Sequence, residues 1–415
     1  MSVTNETVSL ATGQRSFGPG NPVFPLLPAH LSGCPITSTA EMQYPLELTF
    51  DYEKANGLSF TTAGASQSWQ RLLPPLHPGA SMPVGSTPLV DVSSIAPERF
   101  RDRGVFVKDE SRNPTWSHKD RLNKYTTSAA LLEGASTIIV ASSGNHGVAA
   151  AAMAARAGLN CIVITMPDVS PAFRDMIIGY GAYPVFLPVE ARWPAMRALR
   201  EVPGTYPVSN LTTFHTGHPW GPEGYKTIAY EILAAFDGEP PAAVIVPTGY
   251  GEMLYGIFKG FWEAKHLGLT KRVPQLVSAE PAARGPLFHA LKAGKEATTV
   301  KALPTIQSGT GCTVNGFRAV VAIRDSNGIP MLVTDEAAAV AHAALARQGL
   351  WQEFAASAAF AALNDIQEFT NEGPVVVVSS STGLKEPAGS VQIKEAKPDL
   401  GSLRAYLKSE YSFAL

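Results

Sequence analysis

Four loops of this 415-residue chain combine residue types that could do chemistry. Ala141-Ser142-Ser143-Gly144-Asn145-His146-Gly147 follows the apolar run Thr137–Val140 and precedes a small-residue segment, Val148–Ala157. Pro247-Thr248-Gly249-Tyr250-Gly251-Glu252-Met253-Leu254-Tyr255-Gly256 follows Ala243–Val246, and Ser379-Ser380-Ser381-Thr382-Gly383-Leu384-Lys385 follows Val375–Val378. Small residues between a strand and a helix let backbone N–H groups approach an anion, helped by the helix N-terminus. The second loop is neither GxGxxG nor a P-loop, because no Lys-Ser/Thr follows its glycines. Each loop alone reads equally as an ordinary turn; three at strand ends point to one composite site. The fourth, Lys108 to Arg121, sets a lysine in a turn dense with Asn, Pro, Thr and Ser, ahead of a helix over Leu122–Leu132. Most lysines are solvated surface. A functional one needs a lowered pKa, from burial or from neighbouring cations such as Lys108, Arg112 and Arg121, so that its amine can form a Schiff base.

Positioning these loops takes strands and helices in alternation. Thr137–Val140, Cys161–Thr165 and Val185–Leu187 read as strands, separated by helices over Val148–Ala157 and Pro171–Tyr180, the second with Pro in its first turn. Ala243–Val246, Gln275–Ala279 and Val375–Val378 repeat the pattern. Continuous apolar strands between helices indicate parallel sheets covered on both faces. The expected fold class is therefore α/β with two parallel-rich open sheets, whose ligands sit beyond the C-terminal strand ends. Residues 1–40, rich in Gly, Pro, Ser and Thr, read as an extended arm, followed by strand-like PLELTFDYE and a short helix in SQSWQRLLPPL stopped by Pro74.

Composition narrows the function classes. Asp, Glu, Lys and Arg make up 16% of the chain, below the usual ~25%. With 33 Lys+Arg against 35 Asp+Glu, the net charge of −2 excludes a strongly basic nucleic-acid binder. The 45% hydrophobic content supports a sizeable core and argues against disorder. The three cysteines, Cys34, Cys161 and Cys312, lie too far apart for metal or redox spacing. The N-terminus lacks an apolar run suited to a signal peptide, and Ala149–Ala155 is too short to span a bilayer, so neither a membrane nor export is expected.

Asn113–Arg121, NPTWSHKDR, resembles the NPTGSFKDR motif of threonine synthases and their relatives, pyridoxal-phosphate enzymes of fold type II with a tryptophan synthase beta-like architecture. PLELTFDYE is similar to the family's N-terminal strand segment, Val84–Leu89 to its GEGNTPL turn, and SSGNHG to its SSGN loop. Glu223–Thr227 resembles its EGQKT helix start, PTGYGEMLYGIFKGF its phosphate-binding glycine loop, and SSSTGLKEP its TGHGLKDP ending. The motifs run in order along nearly the whole chain.

The resemblance implies that Lys119 holds pyridoxal 5'-phosphate covalently and moves protons at substrate carbons. It implies that Asn145 bonds the cofactor's phenolic oxygen and that backbone N–H groups of Gly249, Tyr250, Gly251, Glu252 and Met253 wrap its phosphate. Ser380 falls beside the pyridine nitrogen, where a neutral hydroxyl suits elimination and replacement better than transamination. Ser142, Ser143, Gly144 and the following amides would receive the substrate carboxylate, with Trp116, Ser117, His118, His146, Arg121 and Lys226 as further substrate-contact candidates. The implied organisation is an N-terminal arm over 1–45, a large cofactor-binding domain over 46–120 and 215–415, and a smaller inserted α/β domain over 121–214. The implied protein is a cytoplasmic homodimer acting on a small phosphorylated amino acid.

Departures from the motifs leave alternatives open. Trp116 replaces a small Gly, His118 an aromatic residue, Thr382 a His, and Ser86 interrupts the GEGNTPL turn. Glu252 replaces a Gly, and its carboxylate is expected to point away from a phosphate. His118 reads equally as an acid/base and as packing behind the cofactor; Trp116 reads as a wall of the pocket, and His146 as a helix cap more than a catalyst. Arg121 and Lys226 read as a clamp for a substrate phosphate or as surface ion pairs. His215 and His218 have metal-compatible spacing with no acidic or Cys partner nearby, so no metal is expected. Glu353 reads as the start of a structural helix. The expected reaction is O-phosphohomoserine and water to threonine and phosphate. The alternatives are β-replacement on O-phosphoserine by sulfite, another specialised lyase of this cofactor, and a catalytically silent ligand-binding relative.

Overall fold

The computed structural model describes residues 8–60, 68–386 and 394–415. Its strands are β1 (Ala11–Ser16), β2 (Val23–Pro25), β3 (Leu46–Phe50), β4 (Leu89–Asp91), β5 (Val105–Asp109), β6 (Thr137–Ala141) and β7 (Asn160–Thr165). They continue as β8 (Tyr183–Phe186), β9 (Thr205–Pro207), β10 (Ala243–Pro247), β11 (Gln275–Pro281), β12 (Ile329–Val333) and β13 (Val375–Ser379). A six-stranded sheet has the order β12-β11-β10-β13-β5-β4 and is parallel except for the terminal β4. A four-stranded sheet, β8-β7-β6-β9, is wholly parallel. β10, β11 and β13 are buried at every residue, as β-branched runs covered by helices on both faces must be.

The helices that matter for the site are α1 (Lys119–Leu132), α2 (Asn145–Ala157), α3 (Val189–Arg200), α4 (Gly221–Ala235), α5 (Glu252–His266) and α6 (Phe354–Ala361). In α2 the buried Ala149–Ala152 let the helix lie close to its neighbours at no cost in side-chain entropy. Buried ion pairs tie α4, α5 and β3 together: Lys226 Nζ is 2.8 Å from Glu223 and 3.0 Å from Glu263, and Lys259 Nζ is 2.6 Å from Glu223 and 3.2 Å from Glu47. Such pairs position helices more than they stabilise them, because desolvation offsets much of the Coulomb gain. By contacts the chain divides into Met1–Lys385 and Glu386–Leu415, the second carrying the helix Leu400–Tyr411.

The N-terminal segment is more than an extended arm. β1 pairs antiparallel with both β2 and β3, a third sheet in which buried Gln14 donates to the carbonyls of Pro25 and Pro28. The strand signal there is hidden by glycines and prolines, and it is completed only by β3, some thirty residues on. Lys108 sits on β5 and not in a turn, and the helix expected at Leu122 begins at Lys119.

Candidate active site

β5, β10 and β13 are parallel neighbours, so the Lys119 turn, the glycine loop and the serine loop all leave one edge of the six-stranded sheet. Lys119 opens α1, its side chain largely buried, with Nζ 4.0 Å from Glu252 Oε2 and 5.8 Å from the Tyr225 ring centre. Burial lowers its ammonium below the ordinary lysine value, while Glu252 and Cys312 pull it back up. The cations expected to do this work are spent elsewhere. Lys108 pairs with Glu231 at 2.6 Å, Arg112 with Asp109 at 3.0 Å, and Arg121 with Glu110 and Glu231, both at 2.7 Å. Desolvation, not like charge, depresses Lys119.

The glycine loop turns into α5 through Gly251, whose φ of 87° lies in the left-handed region and whose missing Cβ leaves room for Ala319. Among the described residues, no backbone N–H from Gly249 to Leu254 is donated to a protein acceptor, and α5 has no side-chain cap. A row of unpartnered N–H groups at a helix N-terminus is an anion cradle. A second cradle opens α2: the N–H groups of Ser143, Asn145 and His146 are likewise undonated, and Gly144 N bonds the Ser142 hydroxyl at 3.2 Å. The Lys119 charge also acts on His146, in this second loop.

Asn145 links the two sheets. Its Nδ2 donates to Glu353 at 2.9 Å, and its Oδ1 accepts from Ser381 at 3.2 Å and from Lys385. Lys385 also donates to the carbonyls of Thr115 and Trp116, and burial lowers its ammonium to about 8. Ser117 is fully buried, forms an isolated antiparallel bridge with Ser381 outside the named strands and accepts from Lys119 N at 3.3 Å. Ser380 is buried; its carbonyl accepts from His118 Nδ1 at 3.0 Å, and its hydroxyl makes no hydrogen bond to a described residue. His118 Nδ1 is so engaged, its ring stacks on Tyr225, and burial holds its pKa well below the ordinary value.

Trp116 departs from its expected role. It adopts φ 58°, which explains why a glycine suits this position, and its indole is 47% exposed. What it brings to the site is its carbonyl, which accepts from Ser381, Thr382 and Lys385. Glu252 lies within the cradle by its backbone, while its carboxylate turns to Lys119. Met253 is buried beside it, and Tyr250 stacks on His215 at 4.1 Å and 10°.

Arg121 and Lys226 are corrected. Arg121 is fully buried and donates to Glu110, Glu231, Thr87 and Thr227; Lys226 donates to Glu263 and the Leu72 carbonyl beside Glu223. Neither has an N–H left for a phosphate. Nor are they surface pairs, because both sit in the packed interior. His218 is engaged by Tyr206 at 3.0 Å and by Trp220 N at 3.0 Å, and burial holds it at about 3, as it holds His146. His146 Nε2 is buried without a partner among the described residues. Reading the sequence missed Tyr225, Ser381 and Cys312; Tyr225 and Ser381 stand inside matched motifs, while Cys312 carries no local signal.

With this geometry in place, three comparisons place the chain. A family profile described as pyridoxal-phosphate dependent enzyme matches residues 80–381. The threonine synthase of Methanosarcina acetivorans is 30% identical over 334 residues, 79% of this chain and 82% of that protein. That of Synechocystis sp. is 33% identical over 334 residues, 78% of this chain and 84% of that protein. Among solved structures, an L-serine ammonia-lyase from Rhizomucor miehei matches with TM-score 0.63 at 22% identity, covering 72% of this chain and 94% of its own. The serine racemase of Dictyostelium discoideum matches with TM-score 0.60 at 22% identity, covering 72% of this chain and 92% of its own. At that identity the structures speak for the fold alone.

Proposed function

The chain belongs to the pyridoxal-phosphate dependent enzyme family, and we propose that it acts on an O-phosphorylated amino acid, turning O-phosphohomoserine and water into threonine and phosphate. It has the type II fold, its cofactor is pyridoxal 5'-phosphate and it is a lyase of that class. When bound, the cofactor supplies an electron sink for the carbanion left by proton loss at a substrate carbon.

One observation carries the reading: the lowered amine of Lys119 lies 4.0 Å from the carboxylate of Glu252, whose backbone belongs to a row of N–H groups without a described partner. We assign Gly249, Tyr250, Gly251, Glu252 and Met253 to the cofactor phosphate, because their amides form the longer row. Ser142, Ser143, Gly144 and His146 go to the substrate carboxylate. We set Asn145 toward the cofactor from α2 with its amide fixed by Glu353, Ser381 and Lys385, and Ser380, just after β13, offers a hydroxyl with no partner among the described residues. Lys119 holds the cofactor and, as an amine whose pKa burial lowers, takes and returns protons at substrate carbons. His118, Trp116 and Ser117 set the backbone and floor under that lysine.

The phosphate leaving group draws its support from relatives named threonine synthase. The four-stranded sheet, confined to Thr137–Pro207, supports a smaller domain over 121–214 set into a larger one over 46–120 and 215–415. A cytoplasmic homodimer completes the reading, and light scattering on the purified protein measures the dimer. No helix of the described residues is long and apolar enough to cross a membrane.

The experiment is a phosphate-release screen on the holoenzyme with O-phosphohomoserine and O-phosphoserine, with and without sulfite. Threonine and phosphate from the first substrate are expected. Phosphate from O-phosphoserine only with sulfite moves the assignment to β-replacement, and no release from either removes the leaving-group reading. Borohydride trapping, expected at Lys119, tests the cofactor site separately.

A further inference from the structure

A phosphorylated substrate brings a second phosphate, beyond the one the cofactor carries, and Arg121 and Lys226 are closed to it. We propose that Arg192 is the anchor that recognises this distal phosphate, an inference that rests on the phosphorylated-substrate reading above.

Arg192 stands in the first turn of α3, just after β8, at the C-terminal edge of the four-stranded sheet. That is the edge at which open α/β sheets bind ligands. The residue is half-buried, and its Nε is shielded from solvent without a hydrogen-bond partner. No described carboxylate lies within ion-pair distance of it, and none of its N–H groups is donated to a described residue. Buried guanidinium N–H groups are nearly always satisfied in folded proteins, so an orphan at a ligand edge points to a ligand that satisfies it.

Its neighbours lead to the reactive amine. Tyr250, on the glycine loop, and Asp168, in the loop after β7, are the groups that act on the Arg192 charge. Tyr250 lies flat on His215, and its hydroxyl faces the Cys312 thiol, which in turn acts on Lys119. Arg192 therefore lies within electrostatic reach of the cofactor loop.

The other cations of this region are each tied to the protein by at least two hydrogen bonds, although Arg318 Nε, like Arg192 Nε, has no partner among the described residues. Arg318 donates to the carbonyls of Thr216 and Leu46, Arg284 to those of Leu303 and Gly311, and Lys385 to Thr115, Trp116 and Asn145. Guanidinium is also the cation that matches a phosphate with two parallel hydrogen bonds.

The test is calorimetric titration of inorganic phosphate into the holoenzyme, where the cofactor fills its own cradle, and into Arg192→Gln and Arg192→Lys. Steady-state kinetics on O-phosphohomoserine accompany it. Phosphate binding to the parent is expected, weakened about tenfold or more in Arg192→Gln, with KM raised by a similar factor and kcat changed less. Arg192→Lys recovers part of the affinity, because it keeps the charge and loses the fork. Absence of phosphate binding by the parent, or equal binding by folded Arg192→Gln, overturns the proposal. If Arg192→Gln fails to fold, Arg192→Lys decides: a weakened affinity supports the anchor and an unchanged one rejects it. A parent that binds phosphate through Arg192 yet releases none from either phosphorylated amino acid overturns the proposed reaction and leaves the anion anchor standing.

Discussion

The Glu252 carboxylate stands 4.0 Å from the Lys119 amine. It does so at the mouth of an anion cradle, and Gly217, with φ 56° and no Cβ, leaves the room it occupies. Burial favours the neutral amine and Glu252 favours the ammonium. Removing the carboxylate charge removes the opposing force. In Glu252→Gln the pH midpoint of Lys119 labelling by an amine reagent, measured on cofactor-free protein, is expected to fall by about one unit. A midpoint that stays put rejects the coupling.

Gly251→Ala is expected to weaken pyridoxal-phosphate binding at least tenfold, by strain at φ 87° and a collision with Ala319. Equilibrium dialysis followed at the cofactor band reads it. Retained affinity would mean that the cradle does not depend on this turn.

Arg121→Ala removes the partner of two buried carboxylates, Glu110 and Glu231. Urea unfolding is expected to show a loss of about 3–5 kcal/mol. Arg121→Lys recovers little, since a point charge cannot bridge both acids. A variant of native stability and lost phosphate affinity would restore Arg121 as a substrate clamp.

Stability should fall on acidification below pH 6.5. His118, His146, His215 and His218 are all held below their ordinary 6.5, His146 and His218 at about 3, so the unfolded chain takes up four protons that the folded chain refuses. Asp120, raised from 3.8 to about 6, and Glu280, raised from 4.5 to about 7, work in the opposite sense and keep two protons in the folded chain. Four imidazoles outweigh the two carboxyls, so the unfolded state binds more protons over this range and unfolding free energy falls as pH is lowered from about 6 to 4.5. Denaturant curves at pH 7, 6 and 5 measure this; stability that rises or stays level on acidification contradicts the burial of these imidazoles.

Much of the site's scaffold was readable because its signals are local. Val375–Val378 and Ala243–Val246 announce buried strands by their own composition, and the small residues after them announce a turn into a helix. β4, β5, β9 and β12 carried weaker signals, being short, mixed in polarity or at sheet ends. Trp116 looked like a pocket wall because a sequence shows a side chain but not a φ angle.

By itself the sequence determined the α/β class, the loops at strand ends and the family motifs, because each depends on residues within a few positions of one another. Only the tertiary structure decided which charges are silenced and which stay available. Arg121 meets Glu231 across 110 residues, and Lys226 meets Glu263 across 37. The fold also sets Glu252 against Lys119 and leaves Arg192 Nε without a partner among the described residues. A charge's meaning depends on what desolvates it and what it faces, and both are properties of the packed chain.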